Sequence, residues 1–198
     1  MIEFWNSRYS SEEYVYGTGP NEFFKERLDL LQPGRILLPG EGEGRNAFYA
    51  LQKGWQPEAF DWSTAAKEKA QKLASGSGYE FAYNISTFEE FEPRPETFDA
   101  AALIYIHLPE EQRRLLHQKV VESLRPGGVV ILEAFDKEQL GKSSGGPQDT
   151  DLLYSLAELV EDFIDLDFEV LTRAAVHLRE GKFHEGEASV VRFCGVKR

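Results

Sequence analysis

Cysteine and methionine are almost absent: Cys194 and Met1 are the only examples of each. One thiol excludes an intrachain disulfide framework and a cysteine-built metal site. No window holds eighteen apolar residues, so neither a membrane-spanning helix nor a membrane partner is expected. The opening stretch, MIEFWNSRYSSEEY, lacks the basic-then-apolar layout of a secretory signal, which points to a cytoplasmic protein. Positive charge is also scarce. The 22 Lys and Arg residues face 34 Asp and Glu residues, giving a net charge of −12. Nucleic-acid binding rests largely on cations that neutralise phosphates, so no nucleic-acid partner is expected. The four histidines are scattered without metal-ligand spacing, and no metal is expected. Cys194, inside VVRFCGV, reads as a packed core residue.

What is present is a regular alternation of short apolar runs and amphipathic stretches. A chain of 198 residues suits one domain with a full core. Its expected parts are an N-terminal arm and helix (1–32), a core (33–135), and a C-terminal helix and hairpin (136–198). Asn21 is placed to cap a helix carrying Phe23, Phe24, Leu28 and Leu31. Strands are expected at Arg35–Leu38, up to Asp61, Tyr79–Tyr83, Phe98 to about His107, and Val129–Phe135. Helices are expected at Asn46–Lys53, from Ser63 towards Leu73, from Pro109 to near Leu124, and at Leu152–Phe163. The near-continuous apolarity of FDAAALIYIH fits a central strand buried on both faces. Two last strands, Phe168–His177 and Ala188–Val196, are linked too closely for a crossover and must form an antiparallel hairpin. The expected fold is α/β: a doubly wound, Rossmann-like, seven-stranded sheet, mostly parallel, with an antiparallel C-terminal hairpin strand.

In such a sheet, ligands bind at the carboxyl ends of the strands. The first strand ends in LLPGEGEGRN, where glycines let a ligand approach the backbone closely. Asp61 closes the next strand, at a spacing suited to a carboxylate that accepts from both hydroxyls of a ribose. NAD and S-adenosylmethionine both present that ribose. A pyrophosphate would lie against Glu41 and Glu43, a repulsive arrangement. S-adenosylmethionine has no phosphate and carries a sulfonium and an ammonium. Arg45 also stands where the dinucleotide fingerprint wants a small residue, and there is no Tyr-x-x-x-Lys pair. The residues favour S-adenosylmethionine, with S-adenosylhomocysteine as product.

ILLPGEGEGRNAFYAL, FDWS, FDAAALIYIHLP and LRPGGVVILEAF, in this order and spacing, resemble a class I S-adenosylmethionine-dependent methyltransferase over nearly the whole chain. FWNSRY, YVYGTGPNEFF, GEGEGRNA and EGKFHEG look like the subgroup around tellurite-resistance and thiopurine methyltransferases. The resemblance implies that Gly40, Gly42 and Gly44 wrap the methionine part of the cofactor, and that Asp61 holds the ribose. It implies that Trp62, Asn84 and Ile85 contact the adenine, and that Leu103, Ile104 and Tyr105 lie beneath the methionine chain. Arg8, Tyr9, Tyr16 and Gly17 would cover the cofactor, within an aromatic arm that also holds Phe4, Trp5 and Tyr14. Many members place an acidic residue where this chain has Leu38. Glu41 or a backbone carbonyl must then anchor the cofactor's amino group.

The implied activity is methyl transfer to a small-molecule substrate, a thiol or an oxyanion of tellurium or selenium, by a monomer or weak dimer. One alternative acceptor is a hydroxylated or carboxylated metabolite, with His107 as a base at the methyl group. The competing role for His107 is to order the turn before Leu108-Pro109. A non-catalytic S-adenosylmethionine-binding module is a further alternative, motivated by Leu38. His184 either faces the same pocket or sits in the hairpin turn, and His177 reads as an exposed strand residue. Glu133, inside an apolar strand, needs a polar partner if it is buried.

Overall fold

Strands that carry apolar side chains on both sides of the backbone must be covered on both faces, and that requirement organises this molecule. The computed structural model describes residues 2–198, with side chains from Trp5 onward; the Phe4 side chain lies outside the described residues. Seven strands are β1 (Arg35–Pro39), β2 (Gln56–Asp61), β3 (Ala82–Ile85), β4 (Phe98–Ile104), β5 (Leu124–Phe135), β6 (Leu166–Arg179) and β7 (Glu185–Lys197). They form one sheet in the order β3-β2-β1-β4-β5-β7-β6. The first five are parallel; β7 runs antiparallel to both β5 and β6. The helices are α1 (Ile2–Tyr9), α2 (Glu22–Leu28), α3 (Arg45–Gln52), α4 (Thr64–Ser75), α5 (Glu110–Ser123) and α6 (Leu156–Asp162). Among the described residues, no helix is long and apolar enough to cross a membrane.

Alternation along each strand divides the core. Ile36, Leu38, Ala59, Ala100 and Ile131 pack with Phe24 and Leu28 of α2, Ala47 and Ala50 of α3, and Ala70 of α4. Leu37, Phe60, Ala101, Leu103 and Leu132 pack on the other face with Leu116 and Val120 of α5 and Leu159 of α6. Each fully buried Leu, Ile or Phe contributes about 1.5–3 kcal/mol relative to exposure. Cys194 belongs to the first of these layers, and burial pushes its thiol up to about 11.

Several elements differ from expectation: β4, expected to about His107, ends at Ile104, and α2, expected to carry Leu31, ends at Leu28. The third strand is Ala82–Ile85, because pairing with β2 runs from Glu58↔Ala82 to Asp61↔Ile85. Tyr79 lies outside it, edge-on to Phe48 with ring centroids 6.3 Å apart. The last helix starts late, since Ser155 and Glu158 form a capping box. Strand β5 starts early, since Leu124 already pairs with Phe98 across a register shift. Helix α1 has no clear apolar period. Its Trp5 and Tyr9 stack at 5.5 Å, and Tyr9 packs with Ala66 of α4.

The arm after α1 is tied down by one carboxylate. Glu43 Oε2 accepts from the backbone N–H groups of Val15 (2.8 Å) and Tyr16 (3.4 Å). Its Oε1 accepts from Lys69 Nζ at 2.7 Å, and that ammonium also donates to the Glu13 carbonyl at 2.6 Å. At the end of the arm, Asn21 caps α2 through Phe24 N–H, as expected, and its own N–H donates to Asn46 Oδ1 at 3.0 Å.

Glu43→Ala is therefore expected to speed amide exchange at Val15 and Tyr16 about 10- to 100-fold, the scale of hydrogen bonds to a charged group. Unchanged exchange, read by mass spectrometry, would show that aromatic contacts alone hold the arm. Gly44 has φ +87°, and a Cβ there would lie 2.6 Å from the Ala70 Cβ. Gly44→Ala is expected to cost about 2–5 kcal/mol, from left-handed strain and overpacking together. A change in melting temperature of less than about 2 °C would contradict this.

Candidate active site

The strand order reverses between β1 and β4, and a cavity of about 420 Å³ opens there at the carboxyl ends of the strands. This is the size range of cofactor and small-molecule sites, about 300–1,000 Å³. The glycine loop forms its floor, the arm one wall, and the β6–β7 turn another.

Gly40 and Gly42 have φ of +59° and +61°, the left-handed region that glycine enters without strain. Gly42 N–H donates to Asp61 Oδ2 at 3.1 Å, and Ser63 N–H donates to Asp61 Oδ1 at 2.9 Å. Each carboxylate oxygen thus keeps acceptor capacity. Burial pushes Asp61 up to about 6, while hydrogen bonds from the Ser63, Gly42 and Trp62 backbones pull it down. Glu41 Oε1 accepts from the first amides of α3, Asn46 (2.9 Å) and Ala47 (2.7 Å). Burial pushes Glu41 up to about 7, against those amides and Arg45. Among the described residues its Oε2 accepts no hydrogen bond, and Glu41 lines the cavity. Leu38 is buried in the apolar layer beneath α2 and α3 and offers no polar atom.

At one end of the cavity are Trp62, Ser86 and Phe88, with the Trp62 and Phe88 rings edge-to-face at 5.3 Å. The other end is built from Tyr16, Tyr105, Phe135 and His184, with Gly146, Pro147 and Leu152. Tyr105 has φ +54°, which turns the chain sharply after β4. Its ring stacks on Phe135 at 4.7 Å, and its hydroxyl donates to Glu133 Oε1 at 2.8 Å. Glu133 also accepts from Asn21 Nδ2 (2.6 Å) and Arg192 Nε (2.6 Å). The partner that this buried carboxylate requires is therefore a whole network. Glu180 extends it, accepting from Asn21 Nδ2 (3.1 Å) and pairing with Arg45 (2.9 Å).

The expected site residues divide clearly. Arg8, Tyr9, Tyr16, Gly17, Gly40, Glu41, Gly42, Asp61, Trp62, Ile104, Tyr105, His107 and His184 all line the cavity. Asn84 and Ile85 do not: they lie within β3, are exposed, and Ser86 is the lining residue beyond the strand. Leu103 points into the opposite core layer, and its neighbours Ala102 and Ile104 face the cavity. Gly44 is displaced from the lining because it is the contact between the loop and α4. His107 is held on both sides, with Nδ1 2.8 Å from the Leu152 carbonyl and Nε2 3.4 Å from Phe135 N–H. The carbonyl can only accept, so Nδ1 carries the proton, and burial lowers the imidazole to about 4. His177 is exposed and paired with Glu187, as a strand residue of the hairpin.

Sequence reasoning misses the Arg45–Glu180 pair and the Gly145-Gly146-Pro147 segment. The pair joins residues 135 positions apart, and the segment has the composition of a low-complexity loop. Contact with Phe135 explains its glycines: a Cβ at Gly146 would lie 2.8 Å from that ring. Among the described residues, no group of three or more metal-type side chains comes together.

Residues 36–128 match the family described as "Methyltransferase domain", a span that includes the glycine loop, Asp61 and the β4 end. No curated protein matches the sequence at a significant level. TehB from Haemophilus influenzae is similar in structure, with a TM-score of 0.76 and 13% identity, covering 100% of this chain and 67% of that one. A structure associated with converting a disulfide bond into a thioacetal group in echinomycin biosynthesis also has a TM-score of 0.76, with 17% identity, covering 100% and 92%. The N-methyltransferase NodS from Bradyrhizobium japonicum WM9, in complex with S-adenosyl-L-homocysteine, has a TM-score of 0.68 and 13% identity, covering 98% and 97%. At these identities the likeness is one of fold. Together with the match of residues 36–128, just under half of the chain, to a methyltransferase domain, it supports an S-adenosylmethionine-dependent methyltransferase.

Proposed function

We propose that the cofactor lies across the glycine loop and that a small thiol enters from the Tyr16–Tyr105–His184 end. The observation that carries this reading is the set of open acceptor atoms on the cavity floor. Among the described residues Glu41 Oε2 is unpartnered, Asp61 keeps a lone pair on each oxygen, and both carboxylates are buried where a positive or hydroxylated ligand would relieve them. S-adenosylmethionine fits: its ammonium suits Glu41, which replaces the acid missing at Leu38, and its ribose suits Asp61. Trp62, Ser86 and Phe88 form a slot for a flat base. When bound, the cofactor supplies an electrophilic methyl group, and the protein's task is to hold the acceptor in line and exclude water. The aromatic arm (Trp5, Tyr9, Tyr16) does the latter.

A thiol is favoured because the acceptor end is mainly aromatic and apolar. A tellurium or selenium oxyanion is the second reading, favoured by Arg8, which lines the cavity mouth and donates to the Tyr16 hydroxyl at 3.0 Å. A hydroxylated metabolite activated by His107 is disfavoured, since both ring nitrogens are engaged. Transfer of labelled methyl to a panel of aryl and alkyl thiols, tellurite and hydroxybenzoate tests this. Turnover confined to tellurite or hydroxybenzoate would overturn the thiol reading.

Two predictions concern the cofactor. Asp61→Ala should weaken S-adenosylhomocysteine binding about 10- to 100-fold, the value of one charged hydrogen bond. Unchanged calorimetric affinity would place the ribose elsewhere. Glu41 and Asp61 titrate near 7 and 6 in the free site, and the ligand favours their charged forms. Affinity should therefore rise from pH 5 to 7, with proton release on binding. It should fall again above about pH 8, as the ligand's own α-amino group deprotonates. Calorimetry in buffers of different ionisation enthalpy measures this, and Glu41→Gln should remove most of the rise. A rise that persists in Glu41→Gln would exclude Glu41 as the ammonium's partner.

A further inference from the structure

We propose that His184 Nε2 is the proton acceptor for the incoming thiol, with Glu180 holding the ring in the required tautomer. This rests on the thiol reading above. Of the four histidines, His184 alone combines a cavity position, a carboxylate on one nitrogen and an open second nitrogen. Nδ1 lies 3.4 Å from Glu180 Oε2. A carboxylate only accepts, so the Nδ1 proton faces Glu180 and the lone pair is on Nε2. Among the described residues Nε2 has no hydrogen-bond partner, and His184 lines the cavity. His107 has both nitrogens engaged, and His117 is buried against Asp162 away from the cavity.

The ring cannot easily turn away. It packs against Tyr16 (4.6 Å), Tyr105 (4.5 Å) and Phe135 (5.2 Å). A Cβ at Gly145 would sit 2.8 Å from its Cδ2, so the loop backbone closes on it. Glu180 is itself fixed by Arg45 and Asn21, and the turn is shut by Glu180 N–H to His184 O at 2.9 Å. A nucleophile's partner oriented by a third group is the arrangement of known acyl-transfer sites, here facing an acceptor pocket. The groups around the imidazole are Glu180 and Glu133, which favour its charge, and Arg45, which opposes it; Tyr16, Tyr105 and His107 complete the shell. Burial lowers His184, keeping it neutral and able to accept at pH 7.

The step balances. The sulfur lone pair of the thiol forms a bond to the methyl carbon while the carbon–sulfonium bond breaks, its electron pair staying on the cofactor sulfur. The S–H proton passes to His184 Nε2 and then to solvent. A thiol suits so weak a base better than an alcohol, because its ordinary pKa is near 8.5.

The test combines His184→Gln with a thiol series. With a thiol of pKa near 9, kcat at pH 7 should fall about 100-fold, the lower range for general-base catalysis. KM and S-adenosylhomocysteine affinity should stay within about twofold. With thiols of pKa below 6, already ionised, the loss should shrink to less than about threefold. An equal loss across the series would make His184 structural and overturn the proposal. Nitrogen NMR of the S-adenosylhomocysteine complex should show Nδ1–H with bare Nε2, and Glu180→Gln should disturb that tautomer. An Nε2–H tautomer in the parent protein would also overturn it. Should the parent protein methylate no thiol at all, the acceptor reading fails, and the tautomer alone decides whether this geometry accepts a proton.

Discussion

Carboxylates buried against backbone amides at the tips of β1 and β2 are the interaction on which the site depends. Glu41 holds the first turn of α3, Asp61 holds the glycine loop, and Glu43 holds the arm. The loop is glycine-rich, so its own conformational preferences are weak, and these contacts supply its shape. Two of them oppose folding at neutral pH. A carboxyl whose folded pKa lies above its unfolded value loses stability as pH rises between the two, here from the ordinary 4.5 to about 7 for Glu41 and from 3.8 to about 6 for Asp61. Keeping such groups is reasonable where a ligand relieves them, which is why perturbed carboxyls mark functional sites.

Glu180 shows that burial alone does not set the direction. It too is desolvated, yet His184 and Arg45 hold it down at about 2. Its contribution to stability is present above the ordinary 4.5 and is lost as pH falls towards 2. Glu180 has its cation inside the fold; Glu41 has only a partial one and faces the cavity. The same side chain is a structural tie in one place and, on the proposed reading, a ligand acceptor in the other. Through Asn21, Glu180 connects to Glu133 and Tyr105, so the end of the arm, β5, the turn after β4 and the β6–β7 turn share one polar cluster.

The fold is legible in the sequence because its signals are local and periodic. Asn21 and Ser63 cap the helices that follow them, Gly54 follows α3, and the apolar fourth run is the central β4. Asp61 and the glycines at Gly40 and Gly42 reach the cavity for the same reason, being tied to strand ends. Sequence and structure part where tertiary pairing decides. Aromatic Tyr79 draws the expected third strand too early, which misplaces Asn84 and Ile85 and hides Ser86. Leu103 goes with its neighbours only if alternation is ignored, since alternate strand residues face opposite layers. Glu43 reads in sequence as a charge near the ligand, but its carboxylate is consumed by the arm and Lys69.

These differences separate two halves of the site by how they are built. The side proposed for the cofactor consists of strand ends and backbone amides fixed by the whole sheet. The end proposed for the acceptor joins Tyr105 and Phe135, at the ends of β4 and β5, to three connecting segments: the arm around Tyr16, the loop around Gly145-Gly146, and the turn from Glu180 to His184. The arm and the loop are held by a few named contacts rather than by a sheet, and the turn is closed by the Arg179↔Glu185 pairing. Substitutions there would reshape the end of the cavity proposed for the acceptor. One fold can therefore carry different sites on such segments. In this chain they join Tyr105 and Phe135 to place an aromatic wall and a carboxylate-oriented imidazole around one opening, the place proposed for the acceptor.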